Sequence, residues 1–233
     1  MTSIVPDPDR RWARLDARGA LRAFYDRGMP SSPALAQSDY QVRLDWGRSG
    51  LERLAPAHVV IIVQTLGLSM RALDAIEDGE TFPLEGDEAA GLALAAGSDG
   101  AHVVVGGLRN AAAVAAHVLE VQRSRGERTS ISVVAAGYPD DDGLRFAVDD
   151  LLGAGAVIAA LGDLGIDHAS PDAAVAGEGF RALGGAVRHL LTASGTGRAL
   201  AADGRREAVL ASAARDAASV VPGTGSTAGA TAS

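Results

Sequence analysis

The apolar positions of this chain recur with two different periods. The runs "HVVIIVQ" (58–64), "AHVVVGG" (101–107) and "ISVVAAG" (131–137) are continuous and rich in β-branched residues. That is the pattern of strands covered on both faces of a parallel sheet. "YQVRLDW" (40–46) alternates apolar and polar positions, as a half-buried strand does. Helical spacing follows over 67–78, 109–122 and 144–161, and beyond Leu161 only helical patterns remain, near 172–191, 196–202 and 205–218. The alternation predicts an α/β fold, with a mainly parallel sheet, crossover helices and a helical C-terminal part.

Two segments fall outside that pattern. Residues 9–27 read as an amphipathic helix, with Trp12, Leu15, Leu21, Phe24 and Tyr25 roughly on one side and Arg and Asp on the other. A Pro- and Ser-rich stretch follows it. This helix is expected to fold back on its own domain, the alternative being a partner or self-association surface. The end of the chain, "GTGSTAGATAS", has no large apolar residue and is expected to be disordered. The division is therefore 1–36 for the N-terminal helix and linker, 37–222 for the α/β domain, and 223–233 for the tail.

Composition narrows the chemistry. With 47% hydrophobic but only 4% aromatic residues, the core must be built from small side chains. There is no cysteine, which excludes disulfides and thiolate metal sites. All 21 basic residues are Arg, so neither a Schiff-base lysine nor a P-loop lysine exists. A net charge of −8 disfavours nucleic acid and anionic lipid. No run approaches the ~20 apolar residues of a membrane span, and the charged N-terminus does not read as an export signal. The expectation is a cytoplasmic protein with no nucleic-acid or membrane partner. A homodimer is left open, dimers being common among compact α/β enzymes.

The strongest chemical signal is "VVAAGYPDDDGLRFAVDDLLGAGAVIAAL" (133–161). Ligands collect at the carboxyl ends of strands in open α/β sheets, and five carboxylates follow this strand. Asp140, Asp141 and Asp142 suit a solvated turn. Asp149 and Asp150 are flanked by Phe146-Ala147-Val148 and Leu151-Leu152, so at least one must approach the apolar face. A buried carboxylate needs a partner, either a metal ion or a salt bridge to Arg. Arg109 and Asn110, in "GGLRNAAAV", stand at another strand-to-helix turn. There they suit either an anion site or a plain helix start. Thr65 and Ser69 read as helix-cap groups. The five histidines show no metal-ligand spacing.

Taken in order, "QSDYQVRLDWG", "GGLRNAAAVA", "VVAAGYPDDDGLRFAVDDLLGAGAVIAAL", "SGTGRALAADG" and "DAASVVP" resemble the 2-phosphosulpholactate phosphatase family, over about Gln37 to Pro222. The resemblance implies a Mg²⁺-dependent phosphatase acting on a small phosphorylated acid. Asp149 and Asp150 would be its catalytic and metal-binding pair, and Arg109, Asn110 and Arg198 its substrate-binding residues. The chain also departs from the family. Val63-Gln64-Thr65-Leu66 stands where members typically carry a strand-end Asp, and Leu84-Glu85-Gly86-Asp87-Glu88 stands where they carry a neutral phosphate loop. Several dozen family residues are missing after Gly79. Valine can neither bind Mg²⁺ nor accept a phosphoryl group. A non-catalytic homologue acting as a binding or regulatory protein is therefore the second expectation.

Overall fold

The computed structural model describes residues 35–80, 88–140 and 143–223. The expected N-terminal helix, the Leu84–Asp87 loop, Asp141, Asp142 and the tail beyond Gly223 lie outside them. Four parallel strands form one sheet in the order β1-β4-β2-β3: β1 Val42–Trp46, β2 Val59–Val63, β3 His102–Gly106 and β4 Ile131–Ala135. These are the three apolar runs and the alternating segment read from the sequence. The parallel α/β architecture expected from the pattern is present, with its helical C-terminal part.

Alternate strand residues enter two separate cores. Val59, Ile61 and Val63 pack with α4 (Ala111–Arg125), α5 (Val148–Asp163) and α6 (Pro171–Leu183). Val60 and Ile62 face the opposite way, onto α2 (Leu68–Glu77) and α3 (Glu88–Ser98). A short helix, α1 (Gly47–Arg53), leads out of β1. The sheet is thus covered on both faces, which is why its strands read as continuous apolar runs.

Both sheet edges are occupied. Beside β1, His168 O accepts the N–H groups of Gln41 and Val42, and Ser170 N donates to Val42 O. Beside β3, Val105 N donates to Pro222 O at 2.7 Å, and Val104 bridges Gly223 antiparallel. Gly223, read from sequence as the first tail residue, is therefore still part of the sheet. Edges covered in this way offer no free ladder to another chain.

Several helix boundaries differ from the spacing. Helix α5 begins at Val148, not Leu144, because Tyr138–Asp140 (β5) and Gly143–Arg145 (β6) pair as an antiparallel hairpin. The span 172–191 is broken at Gly184–Ala186 by a 3₁₀ turn, after which Val187–Ala193 forms α7. Helix α8 covers Gly195–Ala202, and α9, Arg206–Ser212, stops short of 218. Among the described residues no helix is long and apolar enough to cross a membrane.

Candidate active site at the carboxyl end of the sheet

The bland turn after β2 is a joint. Gln64 Oε1 accepts the N–H of Leu68, the first residue of α2, at 2.9 Å, while its Nε2 donates to Gly137 O at 3.1 Å. Ser69 Oγ accepts Gln64 N and donates to Gly106 O at 2.6 Å. The side chains of this turn thus tie the ends of β2, β3 and β4 together. Ser69, expected as a cap, is a strand-to-strand tie, and Gln64 does the capping.

Asp150 completes the joint. It is fully buried in the first turn of α5. Its two carboxylate oxygens accept Thr65 N at 2.8 Å and Gly137 N at 2.9 Å. One side chain therefore holds the ends of β2 and β4 against the start of a helix, where the helix dipole also favours negative charge. Gly137 has φ +64, which favours glycine, and a Cβ there would meet Arg145 O at 2.9 Å.

Asp149 is placed differently. It is 1% exposed, and its side chain receives a 3.3 Å hydrogen bond from the Tyr138 hydroxyl. Tyr138 lies on β5 opposite Arg145 of β6, and the Arg145 guanidinium stands 5.0 Å from the tyrosine ring centroid. Thr196, at the start of α8, stands within side-chain reach of Asp149 and Tyr138. Among the described residues, the buried Thr65 Oγ1 has no hydrogen-bond partner.

Burial pushes both carboxyls above the usual Asp range. For Asp150 the charge of Asp149 adds to this, while the two backbone amides oppose it. The Tyr138 hydroxyl is pushed up by burial and by the same two charges. Arg145 relieves the pair only at a distance, and among the described residues neither carboxylate has an ion-pair partner. The salt bridge to Arg that was the plain alternative at the sequence level is not there. Two adjacent buried carboxylates in this setting call for a proton or a cation.

The other sequence candidates have partners outside the acidic pair, although Arg109 and Thr65 line one small cavity. Arg109 is 9% exposed, and its guanidinium is held by Asp74 and Glu77 of α2, both at 2.5 Å. Asn110 is fully buried, and its Nδ2 donates to Val105 O and Val220 O, each at 3.2 Å. It pins the C-terminal segment to the sheet and has no exposed surface for a substrate. Arg198 is exposed on α8, two residues beyond Thr196. Asp140 belongs to β5, paired with Gly143. The structure therefore joins the "SGTGR" block to Asp149 through Thr196, and gives Arg109 and Asn110 structural partners of their own. Tyr138, Arg145 and Thr196 were not picked out from sequence. The hairpin signal that could have found the first two is the turn-forming "DDDG" between flanking strand residues.

Val63 is fully buried with its side chain turned toward α5: a Cβ on Gly153 would meet Val63 Cγ1 at 2.9 Å and Thr65 Oγ1 at 2.2 Å. A carboxylate at position 63 would thus face the helix turn just after Asp149 and Asp150. Valine fills that place with hydrocarbon.

As to a hard cation, Asp149, Thr196 and Thr65 offer only oxygen donors, and among the described residues the buried Thr65 hydroxyl has no partner. That donor type suits Mg²⁺, which usually needs one or two carboxylates and keeps waters. No cluster of three or more His, Asp or Glu side chains able to hold a metal occurs among the described residues. Asp149 is the better ligand of the pair, because both oxygens of Asp150 already hold backbone amides.

No curated protein matches the chain significantly. The family model of 2-phosphosulpholactate phosphatase matches residues 89–226, from α3 through the acidic pair and the α8 turn to the C-terminal segment on β3. Since that match takes in more than half of its length, this chain belongs to the 2-phosphosulpholactate phosphatase family.

Proposed function

We propose that the site under the β5–β6 hairpin is a phosphatase centre acting on a small phosphate monoester, weakened by Val63. One observation carries this reading. Asp149 and Asp150 are buried side by side at the carboxyl end of the central strands, among the described residues without an ion-pair partner, and beside the hydroxyls of Thr65 and Thr196. Such a pair is costly to the fold unless a positive ligand joins it. Asp149, Thr196 and Thr65 would hold Mg²⁺. When bound, the ion would supply charge stabilisation for the phosphoryl oxygens.

The chain's own residues have separate tasks. Asp150 keeps the ends of β2 and β4 at a fixed distance from α5. Tyr138 orients Asp149. Arg145 and Arg198, both exposed, meet the phosphate dianion at the mouth. Hydrolysis forms a bond from water oxygen to phosphorus, breaks the bond to the alcohol oxygen, and leaves one water proton on the alcohol.

Val63 supports a second reading, a homologue that binds a ligand without turning it over. Phosphate release from a panel of small monoesters, 2-phosphosulpholactate included, separates the two. It is measured with and without Mg²⁺, with Asp149→Asn as control. Mg²⁺-dependent release lost in the variant is the expected result. A Mg²⁺-induced rise in melting temperature without any release points to the binding protein. Neither release nor a melting shift overturns the site.

A further inference from the structure

A second concavity lies on the β1 side of the molecule. It is a cleft of about 440 Å³, lined mainly by Leu35, Trp46, Phe146, Leu151, Val175 and Ala176. Two of these side chains stand well out in solvent, Val175 at 74% exposure and Phe146 at 56%. The Trp46 and Phe146 rings meet at 4.8 Å and form its aromatic wall. A volume of this size with an aromatic wall is an ordinary binding cleft for an apolar group. The acidic pair does not line it, so it is separate from the candidate active site.

We infer that this cleft receives the chain's own N-terminal segment, through Leu21, Phe24 and Tyr25. Position is the first argument. Leu35 is both the first described residue and part of the cleft wall. From Arg27 to Leu35 the chain spans at most about 28 Å, so the segment is confined to the neighbourhood of the cleft. Pattern is the second. Leu21, Phe24 and Tyr25 stand at i, i+3 and i+4, the spacing of one helical face, with Arg22, Asp26 and Arg27 off that face. An apolar stripe of this kind is what helix-in-groove recognition uses. Charge is the third. Residues 1–34 hold six of the 21 basic residues against four of the 29 acidic ones, so a cationic segment meets an anionic body. At the rim, the Asp172 carboxylate takes a 3.4 Å contact from the neutral Gln37 amide and has no ion-pair partner among the described residues, a position from which it could meet Arg22 or Arg27.

The chain has no cysteine, so a disulfide scan on the full-length protein tests this directly. Leu21→Cys and Phe24→Cys are each combined with Val175→Cys, and, as the off-cleft control, with Glu120→Cys on α4. The expected result is an intrachain disulfide to position 175 with at least one of the two. Its rate should be independent of protein concentration, and faster than interchain pairing at micromolar protein by about 10³-fold. Little should form to position 120. An interchain disulfide whose rate rises with concentration would give the cleft to a second copy and overturn the inference. Equal crosslinking to 175 and 120, or none to 175, would also overturn it. A second readout does not depend on disulfide geometry. In a Trp12→Phe background Trp46 is the sole tryptophan, and Leu21→Ala/Phe24→Ala/Tyr25→Ala should raise its quenching by acrylamide at least about twofold relative to the unsubstituted segment. Unchanged quenching counts against the segment as occupant.

Discussion

Asp149 and Asp150 are neighbours in sequence and equally hidden, yet their surroundings give them different work. Asp150→Ala leaves the amides of Thr65 and Gly137 without acceptors. At about 1–3 kcal/mol for each buried donor, partly offset by relief of a buried charge, the expected loss is about 2–4 kcal/mol. Thermal unfolding should show it as a fall of roughly 5–15 °C. Asp149→Asn removes a buried charge that the Tyr138 hydroxyl and the distant Arg145 offset only in part. Its stability without metal should hold or rise by about 1 kcal/mol, while the Mg²⁺-induced shift disappears. Equal destabilisation by the two substitutions would contradict this division. The pair itself was legible in the sequence, because two carboxylates beside Leu-Leu cannot both reach solvent from one helix. The partners were not. Thr196 lies far along the chain, and Arg109 meets Asp74 and Glu77 from 35 and 32 residues away. No local pattern announces contacts of that kind.

Among the elements, α5 sits close to the sheet because Gly153 has no side chain. A Cβ there would come 2.2 Å from Thr65 Oγ1. Gly153→Ala should therefore cost about 1–3 kcal/mol by overpacking. Thr65→Ala in the same chain should recover much of that, since the two changes share one contact; additive effects in denaturant titrations would show that the strain lies elsewhere. At the opposite end of the sheet, His102 and His117 share a 2.7 Å contact between their Nε2 atoms. Burial and the charge of His102 depress the His117 pKa below its usual 6.5. The folded state therefore binds fewer protons there than the unfolded state. The associated stability is complete above about pH 6.5 and is lost as pH falls through the depressed value. Denaturant unfolding at about pH 5 and pH 7.5 should show a smaller pH difference in His117→Gln than in the parent. Strands β2, β3 and β4 were readable because each is an apolar run rich in β-branched residues, and β1 because its apolar and polar positions alternate. Helix α3 was not: in "EAAGLALAAGS" the scattered Gly and Ala leave no polar face to set a period. The hairpin was lost to its own aspartates, which read equally well as a helix start.

At the scale of the molecule, the sheet is closed at both edges by segments that follow the helices, and Asn110 is the fastening on the β3 side. Asn110→Ala removes both bonds from its Nδ2. Amide hydrogen exchange should then accelerate at Val105 and Ala218, whose N–H groups are held by the C-terminal segment and by Arg109 O respectively. Unchanged exchange would mean that the backbone bonds hold the segment without help. The fold class was legible from periodicity, and the family from the order of its blocks. Whether the site still turns over substrate was not, because one strand-end residue bears on it and a buried valine is unremarkable in any strand.

The clamp made by Asp150 has a consequence beyond this chain. A carboxylate that joins two strands to a helix serves the fold whether or not the site hydrolyses anything. Val63 makes no comparable joint and packs as hydrocarbon against α5. The acidic pair alone therefore does not separate an enzyme from a binding protein, and the residue at the end of β2 is the more informative one to read.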